Sequence, residues 1–265
     1  MHHKIDALAY TNRLRSLPPA QKVGFAIALF SLGYVAPMSI QGAIALWMAI
    51  WTVGYARIPA KTYGQLLTLP LSFLLMSLPA LVLAVMGQTS SPNGDMLWSI
   101  PLGPISLYVS RQGWEQASQV LVRAIALTSC LYFLLLTVPF SDVVRLLRRW
   151  GCPALLTELM LLMYRFIFVL TETATELLTA QQSRLGYRNW RLGMRSLSTL
   201  VGQLLGRTLT NYQQIRLGLI SRGFTGEFRM LQTQKYRTQW RYVTEAIAGY
   251  SGLVILTGWH YVHGF

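Results

Sequence analysis

Long gaps between charged residues mark out membrane-spanning helices. Residues 23–56 run for 34 positions without Asp, Glu, Lys or Arg. As one helix this stretch would be about 51 Å long, against a hydrocarbon core of roughly 30 Å. It must fold back, and Ala36-Pro37-Met38-Ser39 is the expected turn, because proline cannot continue a helix interior. That gives spans at 23–36 and 40–56. A third is expected at 66–86, kinked at Pro70 and Pro79, which membrane helices tolerate when neighbours satisfy the freed carbonyls. The fourth is 124–139. The fifth is 246–265, with Trp259 and Tyr261 as interfacial anchors.

Residues 153–170 are apolar enough for a sixth span, but the placement of charge argues against it. The N-terminus (Lys4, Arg13, Arg15, Lys22), the loop with Arg57 and Lys61, and the segment with Arg145, Arg148 and Arg149 are basic, whereas 86–110 holds no Lys or Arg. The positive-inside rule then puts the N-terminus inside, 37–39 outside, 57–61 inside, 87–110 outside and 141–150 inside. Residues 184–241 carry 11 of the 23 basic residues and one acid, Glu227, so they also belong inside. Five crossings satisfy this pattern; six do not.

The helix expected from Pro153 to about Arg184 is amphipathic. Glu158, Arg165, Glu172 and Glu176 fall within about 40° of one another at 100° per residue. A charged stripe on an apolar helix faces water, protein or headgroups. After a polar turn at 187–191, Met194, Leu197, Leu200, Val201, Leu204, Leu205, Leu209, Tyr212, Ile215 and Leu219 step by helical intervals. Two long amphipathic helices in one basic segment form a module whose apolar face must be covered by the spans or a partner. The expected organisation is an N-terminal membrane domain (1–140), a cytoplasmic module of two amphipathic helices (141–241) and a C-terminal transmembrane helix (242–265).

Composition agrees. Charged residues are 12% and hydrophobic residues 53% of the 265, with a net charge of +14; soluble domains carry about 25% charged residues. This excludes an ordinary soluble domain, a disordered chain and a disulfide-stapled secreted module. Cys130 and Cys152 are expected as buried thiols, not a bridge. The first twenty residues lack the apolar core and cleavage site of a signal peptide, so the N-terminus is expected to stay attached and cytoplasmic.

The chemistry that is missing narrows the function further. No Gly-Lys pair occurs, so there is no P-loop. H-E-x-x-H, G-x-S-x-G and zinc-spaced Cys/His sets are also absent. His2, His3, His260 and His263 lie at the chain ends, and without further ligands His2-His3 reads as a solvated terminus and not as a metal site. The spans 23–36, 40–56 and 66–86 hold no ionisable residue, which disfavours a proton-coupled carrier or an intramembrane hydrolase. No catalytic residue, cofactor or metal site is expected.

One internal echo remains. Ser183-Arg184-Leu185-Gly186 closes the first amphipathic helix and Ser221-Arg222-Gly223 closes the second. Each places an arginine in the last turn with glycine following. Glycine can take the left-handed conformation that stops a helix, and arginine suits the negative end of the helix dipole. Its five-donor fork also fits carboxylates. Plain capping would explain either copy alone; two copies in the most basic segment favour docking.

These features resemble the transmembrane T component of energy-coupling factor (ECF) transporters of the cobalt type, the CbiQ family. Asp6…Ala9-Tyr10-Thr11-Asn12-Arg13-Leu14-Arg15…Pro19-Ala20-Gln21-Lys22 is similar to that family's opening. Gly151-Cys152-Pro153…Leu161-Leu162-Met163-Tyr164-Arg165-Phe166-Ile167-Phe168 is similar to its central motif. The two Ser-Arg segments resemble its paired Ala-Arg-Gly signatures, with Ser for Ala at both and the first glycine one place late. The resemblance implies an all-α integral membrane protein with about five transmembrane helices and two coupling helices. It implies that Ser183, Arg184, Gly186, Ser221, Arg222 and Gly223 meet grooves on two cytoplasmic ATP-binding cassette ATPase subunits. Pro153, Glu158, Tyr164, Arg165, Glu172 and Glu176 would support the coupling helices. Membrane lipids, a substrate-binding CbiM-like membrane subunit and room for a small accessory membrane subunit complete the implied surroundings, in the plasma (inner) membrane of the cell. Cobalt is the implied cargo, with nickel or a vitamin as alternatives.

Two other readings compete. A membrane-anchored binder of nucleic acid or anionic lipid would use the +10 balance of 184–241 and tolerate relocation of its arginines. Arginines fixed at two helix ends speak against it, so no nucleic-acid partner is expected. A membrane enzyme would need a catalytic pair, for which Glu158 and Glu172 are the only candidates.

Overall fold

The computed structural model describes residues 2–87, 96–102, 105–223, 236 and 239–263. They form α1 (His2–Thr11), α2 (Pro19–Val35), α3 (Met38–Ala49), α4 (Ala60–Val82), a small sheet β1–β3, α5 (Arg111–Thr137), α6 (Phe140–Arg149), α7 (Ala154–Ser183), α8 (Trp190–Ser221) and α9 (Trp240–His263). The chain divides into two compact units. One is Met1–Asp142 with Gln234–Phe265; the other is Val143–Thr233.

In the first unit α5 is the central post, packed by α2, α3 and α4. Leu29, Ile44, Met48, Cys130, Phe133 and Leu136 are among its fully buried apolar side chains. The expected turn is present: α2 ends at Val35, Pro37 is the N-cap of α3, and Gln41 donates from Nε2 to the carbonyls of Gly33 (3.1 Å) and Ala36 (2.8 Å). α3 continues into a π-helical turn, Ile50–Tyr55, so the expected span at 40–56 is one helical rod, Met38–Tyr55.

Polar groups concentrate at the C-terminus of α5, where helix carbonyls lack partners. Lys22 Nζ donates to Thr137 O at 2.9 Å. Asn12 Nδ2, buried, lies 3.4 Å from the carbonyls of both Leu136 and Thr137. Arg15 Nη1 donates to Tyr10 O at 2.6 Å and stacks over the Tyr10 ring, and Tyr10 OH lies 3.3 Å from Ser141 Oγ. Lys22 and Asn12 thus cap the central helix.

Three helices among the described residues are long and apolar enough to cross a membrane: Met38–Tyr55, Gly113–Thr137 and Ala154–Ser183. The last is the stretch that flanking charge assigns to the inside; its length and apolarity alone would admit it as a span. The helical class holds, with two departures. The apolar run expected as a span to residue 86 leaves the helix after Val82, and Leu83–Gly87 becomes β1. Met96–Leu102 (β2) and Ile105–Ser110 (β3) complete an antiparallel sheet in the order β1-β3-β2, with a bulge between Met96 and Trp98. An apolar run of this length suits helix or strand equally, and pairing with β3 settles it. α5 starts at Arg111, well before the expected 124, because 111–123 continues the same helix, with Arg111 Nε 3.3 Å from Glu115 Oε1 one turn on.

Both cysteines are free. Cys130 is buried as expected, but Cys152 is only half-buried, since it sits in the Gly151 turn (φ 97°) just ahead of α7.

Candidate functional site

The Val143–Thr233 unit contains the α7–α8 hairpin, on which every expected coupling residue lies. Pro153 is the N-cap of α7, with φ −54° already set for the turn, and its carbonyl accepts from the amides of Leu156 (3.1 Å) and Thr157 (3.3 Å). Thr157 is buried and returns its hydroxyl to Ala154 O at 2.8 Å. Glu158 is half-buried, whereas Arg165, Glu172 and Glu176 are exposed. Glu176 reaches across to α8, with Oε2 3.8 Å from Arg207 Nη1. That exposed, long pair is worth well under about 1 kcal/mol. Tyr164 packs edge-on against Phe168, centroids 5.0 Å apart. The charged stripe is mostly exposed along α7, and Glu176 links its C-terminal part to α8.

The two helix ends share one backbone design. Arg184 follows α7 with φ −94° and ψ 14°; Arg222 follows α8 with φ −94° and ψ 11°. The next residue is left-handed at both ends, Leu185 at φ 55° and Gly223 at φ 68°. At the first end Leu185 N donates to Gln182 O (3.0 Å) and Gly186 N to Gln181 O (2.9 Å), the paired bonds of a Schellman cap. At the second, Gly223 N donates to Ile220 O at 3.0 Å. The glycine expected to stop α7 is thus not the stopping residue. Leu185 takes the left-handed position, at about 1–2 kcal/mol relative to the right-handed one, and Gly186 does something else.

A Cβ at Gly186 would lie 2.7 Å from Ser196 Oγ and 3.0 Å from Gln181 O. Gly186 is there for the close approach of α8. Four hydrogen bonds knit this approach: Gly186 N to Gln181 O, Ser196 Oγ to Gly186 O (2.8 Å), Gln181 Nε2 to Ser196 O (3.0 Å) and Tyr187 OH to Gln181 Oε1 (2.8 Å). Ser183 Oγ and Ser221 Oγ instead bond back to their own helices, at Thr179 O (2.9 Å) and Gly218 O (3.0 Å). Arg184 and Arg222 are both exposed. No spacing rule marks Gln181 or Ser196, and sequence reading passes over both.

The helical period expected on α8 is present but mostly uncovered by its own unit. Leu200 is buried and Leu204 half-buried, whereas Met194, Leu197, Val201, Leu205, Leu209 and Tyr212 are 47–61% exposed. They step by three and four along one face. On α7, Leu155, Leu159, Met163 and Ile167 form a second exposed row at i, i+4 spacing. Among the described residues no cluster of three or more His, Cys, Asp or Glu side chains is arranged to hold a metal ion. Glu158 and Glu172 are fourteen residues apart on one helix, about 21 Å by its rise, so they do not form a catalytic pair.

The cobalt transport protein family CbiQ matches residues 11–234. A cobalt transport protein CbiQ of Rhodobacter capsulatus is 34% identical over 87% of this chain and 88% of its own length. The CbiQ of Salmonella typhimurium is 30% identical over 85% of this chain and 99% of its own. A protein of Methanocorpusculum labreanum named as a fused cobalt transport protein CbiMQ is 29% identical over 84% of this chain, a match that takes up 37% of that longer protein.

Proposed function

The chain belongs to the CbiQ family of cobalt transport proteins, and on that premise we propose that it is the transmembrane T component of an ECF-type cobalt importer. It is a membrane transport protein, not an enzyme. In this reading the Val143–Thr233 unit lies on the cytoplasmic side of the plasma membrane, together with the N-terminus. Arg184 and Arg222 enter acidic grooves on two ATP-binding cassette subunits. The observation that carries the proposal is the shared geometry of the two ends: an exposed arginine at matching φ and ψ, each followed by a left-handed residue. Two equivalent cationic ends on one hairpin suit two similar receiving surfaces.

The exposed apolar rows of α7 and α8 supply the second contact, to a CbiM-like substrate-binding membrane subunit; the fused CbiMQ relative supports such a pairing. ATP-driven movement of the two ATPases displaces the helix ends, and the hairpin passes that displacement to the substrate subunit through those rows. Pro153 and Tyr164 hold the start and middle of α7 in shape, and Glu158, Arg165, Glu172 and Glu176 give it a wettable outer face. Cargo selectivity resides in the substrate subunit.

Charge reversal tests this. Arg184→Glu with Arg222→Glu sets like charges together at a desolvated contact, a cost of several kcal/mol, so ATPase subunits should no longer copurify from mild detergent while the chain stays in the membrane. Alanine at both positions should do less harm than glutamate. Normal copurification and normal cobalt uptake in the double reversal would overturn the proposal.

A further inference from the structure

The α7 end is held by more than its own helix. Arg222 follows a helix whose closing bonds, among the described residues, are all local: Ser221 Oγ to Gly218 O, Arg222 N to Leu219 O (3.1 Å) and Gly223 N to Ile220 O. Arg184 sits instead beside a clasp that crosses to the neighbouring helix. Gln181 is its hub. Its carbonyl caps Gly186, its side-chain Nε2 donates to Ser196 O on α8, and its Oε1 accepts from Tyr187 OH. Ser196 closes the ring by donating to Gly186 O. Tyr187 is backed by Gly193, where a Cβ would stand 3.6 Å from Tyr187 Cδ1. Without such a clasp, a helix end frays and an arginine just past it samples many directions.

We infer that Gln181, Ser196, Gly186 and Tyr187 are positioning residues that fix the direction of Arg184, so that the α7 end docks as a preorganised prong. This rests on the proposed docking of Arg184 on an ATPase and adds the residues that set its geometry. Preorganisation lowers the ordering cost of binding, so loss of the clasp should weaken association although every docking side chain remains.

The test uses the full-length protein in detergent, with two readouts. Trypsin cleavage after Arg184 and Arg188 reports the clasp without any partner. ATPase affinity reports its consequence. Gln181→Ala and Ser196→Ala should each speed cleavage after Arg184 and Arg188 about tenfold and leave cleavage after Arg216 and Arg222 unchanged. Each should also weaken ATPase binding about tenfold, and Ser196→Thr, which keeps the hydroxyl, should restore much of both. In an Arg184→Ala background, Gln181→Ala should weaken binding no further, because it acts through that side chain. Tyr187→Phe removes one bond only and serves if the other variants fail to fold. Unchanged cleavage, or faster cleavage with unchanged affinity, would overturn the inference, as would additive losses in the double variant. Full affinity in Arg184→Glu would instead overturn the docking reading beneath it.

Discussion

Gly249 tests the packing of the first unit in a way that supplies its own control. A Cβ built there would lie 2.6, 2.9 and 3.2 Å from Cζ2, Cε2 and Nε1 of Trp47. α9 therefore lies directly against the α3 indole, and small residues are what allow such close helix approach in membranes. Gly252, three residues on in the same helix, has open space where a Cβ would go. Alanine at either position gains up to about 1 kcal/mol of helix propensity. At 249 it must also push a half-buried tryptophan aside by several tenths of an ångström, and overpacking of this kind costs about 1–3 kcal/mol. The propensity gain cancels in the comparison, so Gly249→Ala should be less stable than Gly252→Ala by about 1–3 kcal/mol. Unfolding of the detergent-solubilised protein by SDS titration, followed by far-UV circular dichroism, measures the difference. Trp47 emission should shift in the first variant only. Equal stability of the two variants would show that α9 does not seat on Trp47.

Other consequences follow from single residues. Leu185→Gly removes left-handed strain of about 1–2 kcal/mol against a chain-entropy loss of about 0.5–1 kcal/mol, so α7 should end slightly more stably, by up to about 1.5 kcal/mol in thermal melts. Gly223→Ala places a Cβ at φ 68° and should cost about 1 kcal/mol at the other end. Lys22 stands ahead of the apolar run that begins at Val23, and burial pushes its ammonium down to about 8 from 10.5, with Asp142 partly opposing. The unfolded chain then binds the extra proton between those values, so stability should rise as pH increases from about 8 to 10.5. Lys22→Met should remove that part of the rise; an unchanged pH profile in the variant would refute the assignment. Maleimide applied to the folded protein should modify half-buried Cys152 and spare buried Cys130, read by mass spectrometry.

Hydropathy period and proline placement were enough to read the α2–α3 turn, the rod over Met38–Tyr55 and the two amphipathic helices that end at Ser183 and Ser221. These are local properties, set by residue spacing and by proline's missing amide. The sheet was not legible, because Leu83–Gly87 continues the apolarity of α4 and becomes a strand only through its register with Ile105–Val109. The role of Gly186 was hidden for a similar reason. Its neighbour Leu185 takes a conformation that residue type disfavours, and Ser196, the side chain that forbids a Cβ at 186, is ten residues away. The two arginines proposed to dock were visible because each sits at a helix end that sequence can locate. The Gln181 clasp that braces one of them was not, since its bonds close only when α8 folds back on α7.

Photocrosslinking tests the coupling reading most directly. A photoreactive amino acid at position 184 or 222, in the assembled complex, should give adducts with an ATPase subunit from both sites. A probe at the exposed α7 residue Ile167 should give adducts with a membrane subunit instead. Adducts with ATPase from neither 184 nor 222, in cells that still take up cobalt, would contradict the claim that these two helix ends carry the motion.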